Sequence, residues 1–194
     1  MRTIRQSSFL TVLLTLILGL FAHSDVHSQS TPTGNVIFMH PDGSGGNMWL
    51  AHRIYRYGPD SISYWDRMDR MGLYRSHVLN STNSSSHGGA TIHAYGVKVP
   101  FDTYGNASEK PVTSRSGKDQ SIMMEARDAG MATALINSGH ICEPGTGVFV
   151  ASAPSRSMTE SISDQVINSG VDIILSGGER YLLPEGHVGH HGVA

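Results

Sequence analysis

The chain has 194 residues, and its net charge of −2 offers no long basic run for nucleic acid. Its single cysteine, Cys142, excludes an internal disulfide framework. After the N-terminal segment, the remaining length is sufficient to bury a hydrophobic core. These values predict a globular protein without nucleic acid as its main partner.

The N-terminus has the layout of a secretory signal peptide. Arg2 and Arg5 precede an apolar run over residues 9–22, which at about 14 residues is short for a membrane span. We assign residues 1–28 to the signal peptide and 29–34 to a polar linker. An uncleaved membrane anchor is the alternative. The signal predicts a secreted or periplasmic protein, with no membrane contact after cleavage.

Residues 35–194 alternate between strand and helix patterns. Strands are predicted at 36–39, 73–78, 132–137 and 172–175. Helices are predicted at 48–55, 63–71, after residue 86, at 118–128 and at 159–169. Gly130 and Gly170 each follow a helix and precede a strand, as is typical of helix ends. The alternation predicts an α/β fold with a doubly wound, mostly parallel sheet and helices on both faces.

Residues 84–98 carry the strongest functional signal. They read Ser-Ser-Ser-His-Gly-Gly-Ala-Thr-Ile-His-Ala-Tyr-Gly-Val-Lys. Small residues let the backbone approach an anion, and a helix N-terminus offers free N–H groups with a partial positive charge. A serine at such a place can act as a nucleophile. The alternative is an ordinary Ser/Gly loop that caps a helix.

Asp42 is a second candidate. It follows the apolar run at 36–39 and precedes a Gly-rich turn. Open α/β sheets place ligand chemistry at the carboxyl ends of their strands, and a carboxylate there suits Zn²⁺ or Mg²⁺. A plain Asp-Gly turn is the alternative.

Together these two segments resemble the alkaline phosphatase family. In that family the first strand ends in an Asp-Gly pair that binds metal, and the nucleophile motif closes on Gly-Val-Lys. Counting back ten positions from Gly96, as in the family, gives Ser86 without a gap. Further matching positions are Ala90, Thr91 and Ala94. The resemblance implies that Ser86 is the nucleophile and Asp42 a metal ligand.

The sequence departs from the family pattern beside the nucleophile. Ser85 stands where the family usually has Asp, and His87-Gly88-Gly89 stand where it has Ala and Thr. These differences change the expected electrostatics next to Ser86.

Two downstream segments extend the resemblance. Residues 171–179 are similar to the family's strand that ends in a glycine cluster. Residues 140–144, followed by Ser155 and Arg156, occupy the region of a further metal ligand and of a phosphate-binding arginine. The resemblance implies that Arg156 holds the substrate phosphate and that Glu143 and His140 bind metal. A planar guanidinium binds two phosphate oxygens at once. A solvated surface role is the alternative for Arg156 and Glu143.

The resemblance covers about the front half of the family's fold. The family's later ligands, which are a Glu, an Asp-x-x-x-His pair, an Asp-His pair and a final His, have no counterpart here. We therefore expect weak metal binding and little phosphate release from residues 1–194 alone. The Gly-rich cluster of His187, His190 and His191 is typical of an exposed loop and receives no family role.

The function implied by the resemblance is hydrolysis of phosphate monoesters to inorganic phosphate through a phosphoserine, assisted by Zn²⁺ and Mg²⁺. A phosphodiesterase or sulfatase of the same superfamily is one alternative. A non-catalytic anion- or metal-binding remnant is another. The oligomeric state stays open.

Overall fold

A computed structural model describes residues 34–107, 109–184 and 186–190. The chain divides into two units, residues 1–39 and 40–194. The predicted signal peptide and residues 29–33 of the linker lie outside the described residues.

In the first unit, the described residues 34–39 form neither helix nor strand. Val36 and Ile37 are 81% and 83% exposed. The prediction of a strand at 36–39 is therefore wrong. Apolar character alone does not make a strand, because a strand exists through its ladder of hydrogen bonds to a neighbour.

The second unit contains five α-helices among its described residues. They are α1 (Gly46–Tyr57), α2 (Ser86–Tyr95), α3 (Ile122–Asp128), α4 (Pro144–Gly147) and α5 (Thr159–Ile167). Short 3₁₀ turns occur at Trp65–Arg67 and Glu179–Tyr181. The helices predicted at 48–55, after residue 86 and at 159–169 are confirmed.

The strands of the second unit form two pairs in the described part of the chain. Strands β1 (Asn106–Ala107) and β2 (Lys110–Pro111) are antiparallel. Strands β3 (Ala134–His140) and β4 (Ile173–Gly177) are parallel, with Leu135 opposite Ile174. Their register is irregular between Ile136, which faces Leu175, and His140, which faces Gly177. The predicted strands at 132–137 and 172–175 are confirmed as this parallel pair.

Three predicted elements differ from the structure. The helix predicted at 63–71 is reduced to the turn Trp65–Arg67, where Asp66 accepts a 2.7 Å bond from the Ser63 hydroxyl and none of the turn's residues is buried. The strand predicted at 73–78 is absent except for an isolated bridge from Val78 to Ser81. The helix predicted from 118 begins at Ile122, because Ser121 caps it by accepting a bond from Met124 N–H.

The hydrophobic core lies where α2 contacts α3 and α4, and where α4 contacts β3. Ala90 and Ala94 of α2, Leu135 of β3, and Ile162 and Val166 of α5 are buried in it. Gly130 and Gly170 have φ values of 78° and 76°, as expected after helix ends. The predicted α/β class is confirmed. No helix in the described ranges combines the length and apolar character needed to cross a bilayer.

Candidate functional site

Helix α2 sets the position of Ser86. Ser85 is its N-cap, since the Ser85 hydroxyl accepts a hydrogen bond from Gly88 N–H at 3.0 Å. The same hydroxyl donates to the Phe101 carbonyl. Ser85 is thus engaged as both donor and acceptor, whereas no described residue makes a hydrogen bond with the Ser86 hydroxyl. Of the two serines, Ser86 has the hydroxyl that is available for chemistry.

Two backbone N–H groups are open at the start of α2. The N–H groups of Gly88 and Gly89 bond to the Ser85 hydroxyl and carbonyl, at 3.0 and 2.8 Å. Those of Ser86 and His87 have no acceptor outside the helix among the described residues. Open N–H groups and the helix dipole both favour a bound anion beside Ser86.

A loop at residues 101–105 fixes this first turn. A Cβ atom at Gly88 would lie 2.8 Å from the Phe101 carbonyl oxygen, so only glycine allows the loop to approach this closely. The buried Thr91 hydroxyl lies within hydrogen-bond distance of two carbonyl acceptors, those of His87 at 2.7 Å and Thr103 at 2.9 Å, and it accepts from Gly105 N–H at 3.1 Å. Close packing against the loop therefore accounts for the glycine at position 88, where the sequence departs from the family pattern.

His87 and Asp102 form a pair for which sequence analysis gave no role. His87 Nε2 lies 3.5 Å from Asp102 Oδ1, and the His87 side chain is 11% exposed. Burial lowers the pKa of His87, the Asp102 carboxylate opposes this change, and the Arg156 guanidinium adds to it. Arg156 thus contributes to the electrostatic environment of the His87 imidazole. The signal in the sequence was the histidine itself, which departs from the family's Ala.

The candidate residues of the 140–156 region meet at one carboxylate. Glu143 Oε1 lies 3.0 Å from His140 Nε2, and Glu143 Oε2 accepts a hydrogen bond from Arg156 at 3.4 Å. Their side chains are 30–44% exposed. Glu143 is the N-cap residue of α4, and α4 contacts α2. The structure therefore brings Glu143, His140 and Arg156 together next to the helix of Ser86.

Asp42 does not join this cluster through any described contact. It lies exposed in a turn, and no described residue makes a hydrogen bond or ion pair with its carboxylate. The residue two positions earlier, His40, does reach the helices. Its ring centroid is 4.7 Å from that of His93 in α2, and its Nδ1 lies 3.7 Å from the Cβ position of Gly145 in α4.

Asp42, Glu143 and His140, as arranged, do not fit a metal centre. Both oxygens of Glu143 face nitrogen atoms, and Asp42 contacts neither of the other two residues. Within the described ranges, no group of three or more His, Cys, Asp or Glu residues is placed to hold a metal ion. A catalytic zinc normally takes three protein ligands. The metal roles of these residues stay predictions.

The C-terminal histidines lie in a separate, exposed stretch. The N–H of His187 bonds to the Pro184 carbonyl at 3.1 Å, and that of His190 bonds to the Glu179 carboxylate at 3.1 Å. His191 lies outside the described residues. These contacts involve backbone N–H groups and assign no role to the imidazole rings.

An available serine hydroxyl, open N–H groups and an arginine are chemical groups that suit a bound anion, and here they lie on an α/β scaffold. The family profile described as alkaline phosphatase matches residues 33–192. The chain belongs to the alkaline phosphatase family, and the resemblance found in its motifs is confirmed.

Individual relatives share the fold over part of their length. Alkaline phosphatase 4 of Bacillus subtilis (strain 168) is 26% identical over 190 residues, which cover 86% of this chain and 39% of the relative. The structure of a cold-active alkaline phosphatase from a psychrophilic Shewanella sp. is 24% identical, with a TM-score of 0.64 over 73% of this chain and 35% of that one.

A third relative is the alkaline phosphatase of the Antarctic bacterium TAB5. A histidine-to-aspartate mutant of that protein, with Mg bound in its M3 site, is 20% identical. Its TM-score is 0.57 over 68% of this chain and 36% of that one. The chain thus spans about two fifths of the length of the curated relative, given the 39% coverage above.

Proposed function

We propose that the protein hydrolyses phosphate monoesters through a phosphoserine at Ser86. The observation that carries this proposal is the start of α2. There an available hydroxyl and two open N–H groups lie in the turn of His87, whose pKa the Arg156 charge helps to lower. Family membership supports a phosphatase-type hydrolase.

The proposed reaction has two displacements at phosphorus. Ser86 Oγ forms a bond to phosphorus while the ester P–O bond breaks, and the leaving alcohol takes the serine proton. Water then attacks the phosphoserine, which returns the serine hydroxyl and releases inorganic phosphate. The N–H groups of Ser86 and His87 stabilise negative charge on the phosphoryl oxygens in both steps.

Arg156 is proposed to bind the non-bridging phosphate oxygens. Its one described hydrogen bond, to Glu143, uses a single guanidinium nitrogen. The other nitrogens can donate to an anion in the forked geometry that suits phosphate. Arg156 would therefore contribute chiefly to affinity for the substrate and for the phosphate product.

We also propose that the reaction depends on Zn²⁺ and Mg²⁺, and the TAB5 relative with bound Mg supports a metal requirement. In such a reaction the cations would neutralise charge on the phosphoryl group. Asp42, Glu143 and His140 do not by themselves complete a donor set in the described structure. The steps assigned above therefore use only the chain's own hydroxyl, N–H and guanidinium groups.

The test is an assay of the purified protein with added Zn²⁺ and Mg²⁺. We expect a chain that also carries the family's later ligands to release phosphate from a chromogenic monoester, and mass spectrometry of that acid-quenched protein should locate the phosphate on Ser86. Residues 1–194 alone should release little phosphate. If the protein instead hydrolyses a phosphate diester or a sulfate ester faster, the proposed monoesterase activity is wrong and another activity of the superfamily takes its place. Absence of both turnover and phosphoserine in that longer chain would contradict the proposed function, and robust Ser86-dependent turnover by residues 1–194 alone would contradict the expectation of little release.

Export of the protein is proposed from the sequence of residues 1–28 alone. N-terminal sequencing of protein recovered outside the cytoplasm should show a mature end shortly after residue 22 or 26. An intact Met1 on exported protein would contradict cleavage and favour a retained anchor.

A further inference from the structure

We infer that Glu143 and His140 position Arg156 and are not metal ligands. The inference rests on the proposed function, in which Arg156 binds the substrate phosphate. It assigns the three residues to one unit, with Arg156 in contact with phosphate and the other two acting through it.

The geometry of the Glu143 carboxylate carries this inference. Each of its oxygens faces a different nitrogen atom, with Oε1 3.0 Å from His140 Nε2 and Oε2 3.4 Å from the Arg156 guanidinium. A metal ion at either oxygen would have to displace one of these partners. The imidazole Nε2 that faces Glu143 is likewise unable to ligate a metal at the same time.

The surrounding backbone holds the carboxylate near these partners. The Glu143 N–H donates to the His140 carbonyl at 2.9 Å, and Pro144 follows as a buried first residue of α4. A Cβ atom at Gly139 would lie 3.1 Å from Glu143 Cγ, closer than most such contacts. Glycine at 139 thus leaves room for the glutamate stem beside β3.

Arg156 needs such a partner because its own segment is irregular. It lies in the connection between Ala153 and α5, and its side chain is 44% exposed. A long, exposed arginine samples many rotamers, and holding it in one of them reduces the entropy that phosphate binding must overcome. The bond to Glu143 restrains one edge of the guanidinium and leaves its remaining N–H groups for the anion.

Calorimetric titration of inorganic phosphate into the full chain tests the inference without requiring turnover. Arg156→Ala should weaken phosphate binding by at least about tenfold. Glu143→Gln, which keeps the size of the side chain, should weaken it by about three- to tenfold. Glu160→Gln, at an exposed position in α5, is the matched control and should leave the affinity unchanged.

A double-mutant cycle separates positioning from general structural damage. In the Arg156→Ala background, Glu143→Gln should have no further effect on phosphate affinity. A full, additive loss in that background would overturn the inference, since Glu143 would then act independently of Arg156. Glu143→Asp keeps the charge and should recover part of the affinity, which also provides a test where Glu143→Gln does not fold.

Direct titration with Zn²⁺ and with Mg²⁺ separates positioning from ligation. Equal metal affinity in the wild type and in Glu143→Gln supports positioning. If neither protein binds metal, weaker phosphate binding by Glu143→Gln supports positioning as well. Loss of metal affinity in Glu143→Gln would overturn the inference.

The same titrations distinguish this inference from the proposed function. If Glu143→Gln binds phosphate like the wild type while Arg156→Ala does not, the inference fails and the phosphate site stands. If the wild type binds no phosphate, or Arg156→Ala binds it normally, the proposed site fails and the inference fails with it.

Discussion

Helices α1 and α2 follow turns rich in Gly and Ser, yet they differ sharply in how they are held. Seven of the ten residues of α2 are buried, whereas none of the twelve residues of α1 is. The side chain of Ser85 caps α2, while Gly45, the N-cap of α1, has no side chain to do so. Burial and capping fix the groups at the start of α2, and the Asp42 turn before α1 has neither.

The largest expected effect is at the start of α2. In the active protein, Ser86→Ala should reduce turnover by about three orders of magnitude or more, because the covalent route is lost. Ser85→Ala should keep the phosphoserine and lose about 1 kcal/mol of stability with its cap. Steady-state kinetics and urea unfolding check the two changes. Normal turnover in Ser86→Ala, with Ser85→Ala inactive, would reverse the roles of these serines.

A second change tests the tight packing around α2 and α4. A Cβ atom at Gly147 would lie 2.0 Å from the Tyr104 hydroxyl oxygen, which donates to the Cys142 carbonyl at 3.0 Å. Gly147→Ala should therefore lower the free energy of unfolding by about 1–3 kcal/mol. Gly45→Ala, with no atom within 4 Å of the new Cβ, should change it by no more than about 0.5 kcal/mol. Equal urea midpoints for the Gly147→Ala and Gly45→Ala variants would contradict the expected difference in packing between α4 and the start of α1.

His93, a half-buried residue of α2, should also give the stability of the protein a pH dependence. Burial, together with the charges of His40 and Lys98, lowers the pKa of His93 from 6.5 to about 4. As the pH falls through this interval, the unfolded chain binds the proton first, so the free energy of unfolding should decrease.

His93→Gln should reduce this slope, and His52→Gln on the exposed α1 is the control. NMR titration of the imidazole checks the protonation directly. If NMR gives His93 a pKa near 6.5, the expected dependence of stability on pH has no physical basis and the prediction is wrong.

The smallest effect is expected at Asp42. Asp42→Asn should change the free energy of unfolding by no more than about 0.5 kcal/mol, because the carboxylate is exposed and has no described partner. Urea unfolding in a chelator checks this expectation. A loss above about 1 kcal/mol would show that the turn is held as firmly as the start of α2.

The sequence predicted elements well where their ends carry local signals. The start of α2 and the glycines after α3 and α5 depend on neighbouring residues, and they are found as expected. The start of α3 was predicted at 118 and lies at Ile122, because the Ser121 cap was not recognised in the sequence. The strand predictions at 36–39 and 73–78 were wrong, because a strand forms only by pairing with another segment that is distant in the sequence. An apolar run does not specify that partner.

The candidate site was predictable in part for the same reason. Motif spacing singled out Ser86 and Arg156, whose roles remain proposals, and it grouped Arg156 with Glu143, which are in contact in the structure. The pairing of His87 with Asp102 depends on how the loop at 101–105 crosses the first turn of α2. The engagement of both Glu143 oxygens likewise depends on side-chain geometry, which residue spacing does not encode.

The irregular register of β3 and β4 has a consequence for insertions and deletions during evolution. Between the last regular pair and the pair at His140, β3 advances four residues while β4 advances two. β3 therefore has two extra residues here, and deletion of one of them would invert the alternation of its side chains and turn His140 to the opposite face of the sheet. Loss of two would preserve the alternation. Related sequences should therefore vary in length here by even steps wherever they retain the histidine and the glutamate that follows it.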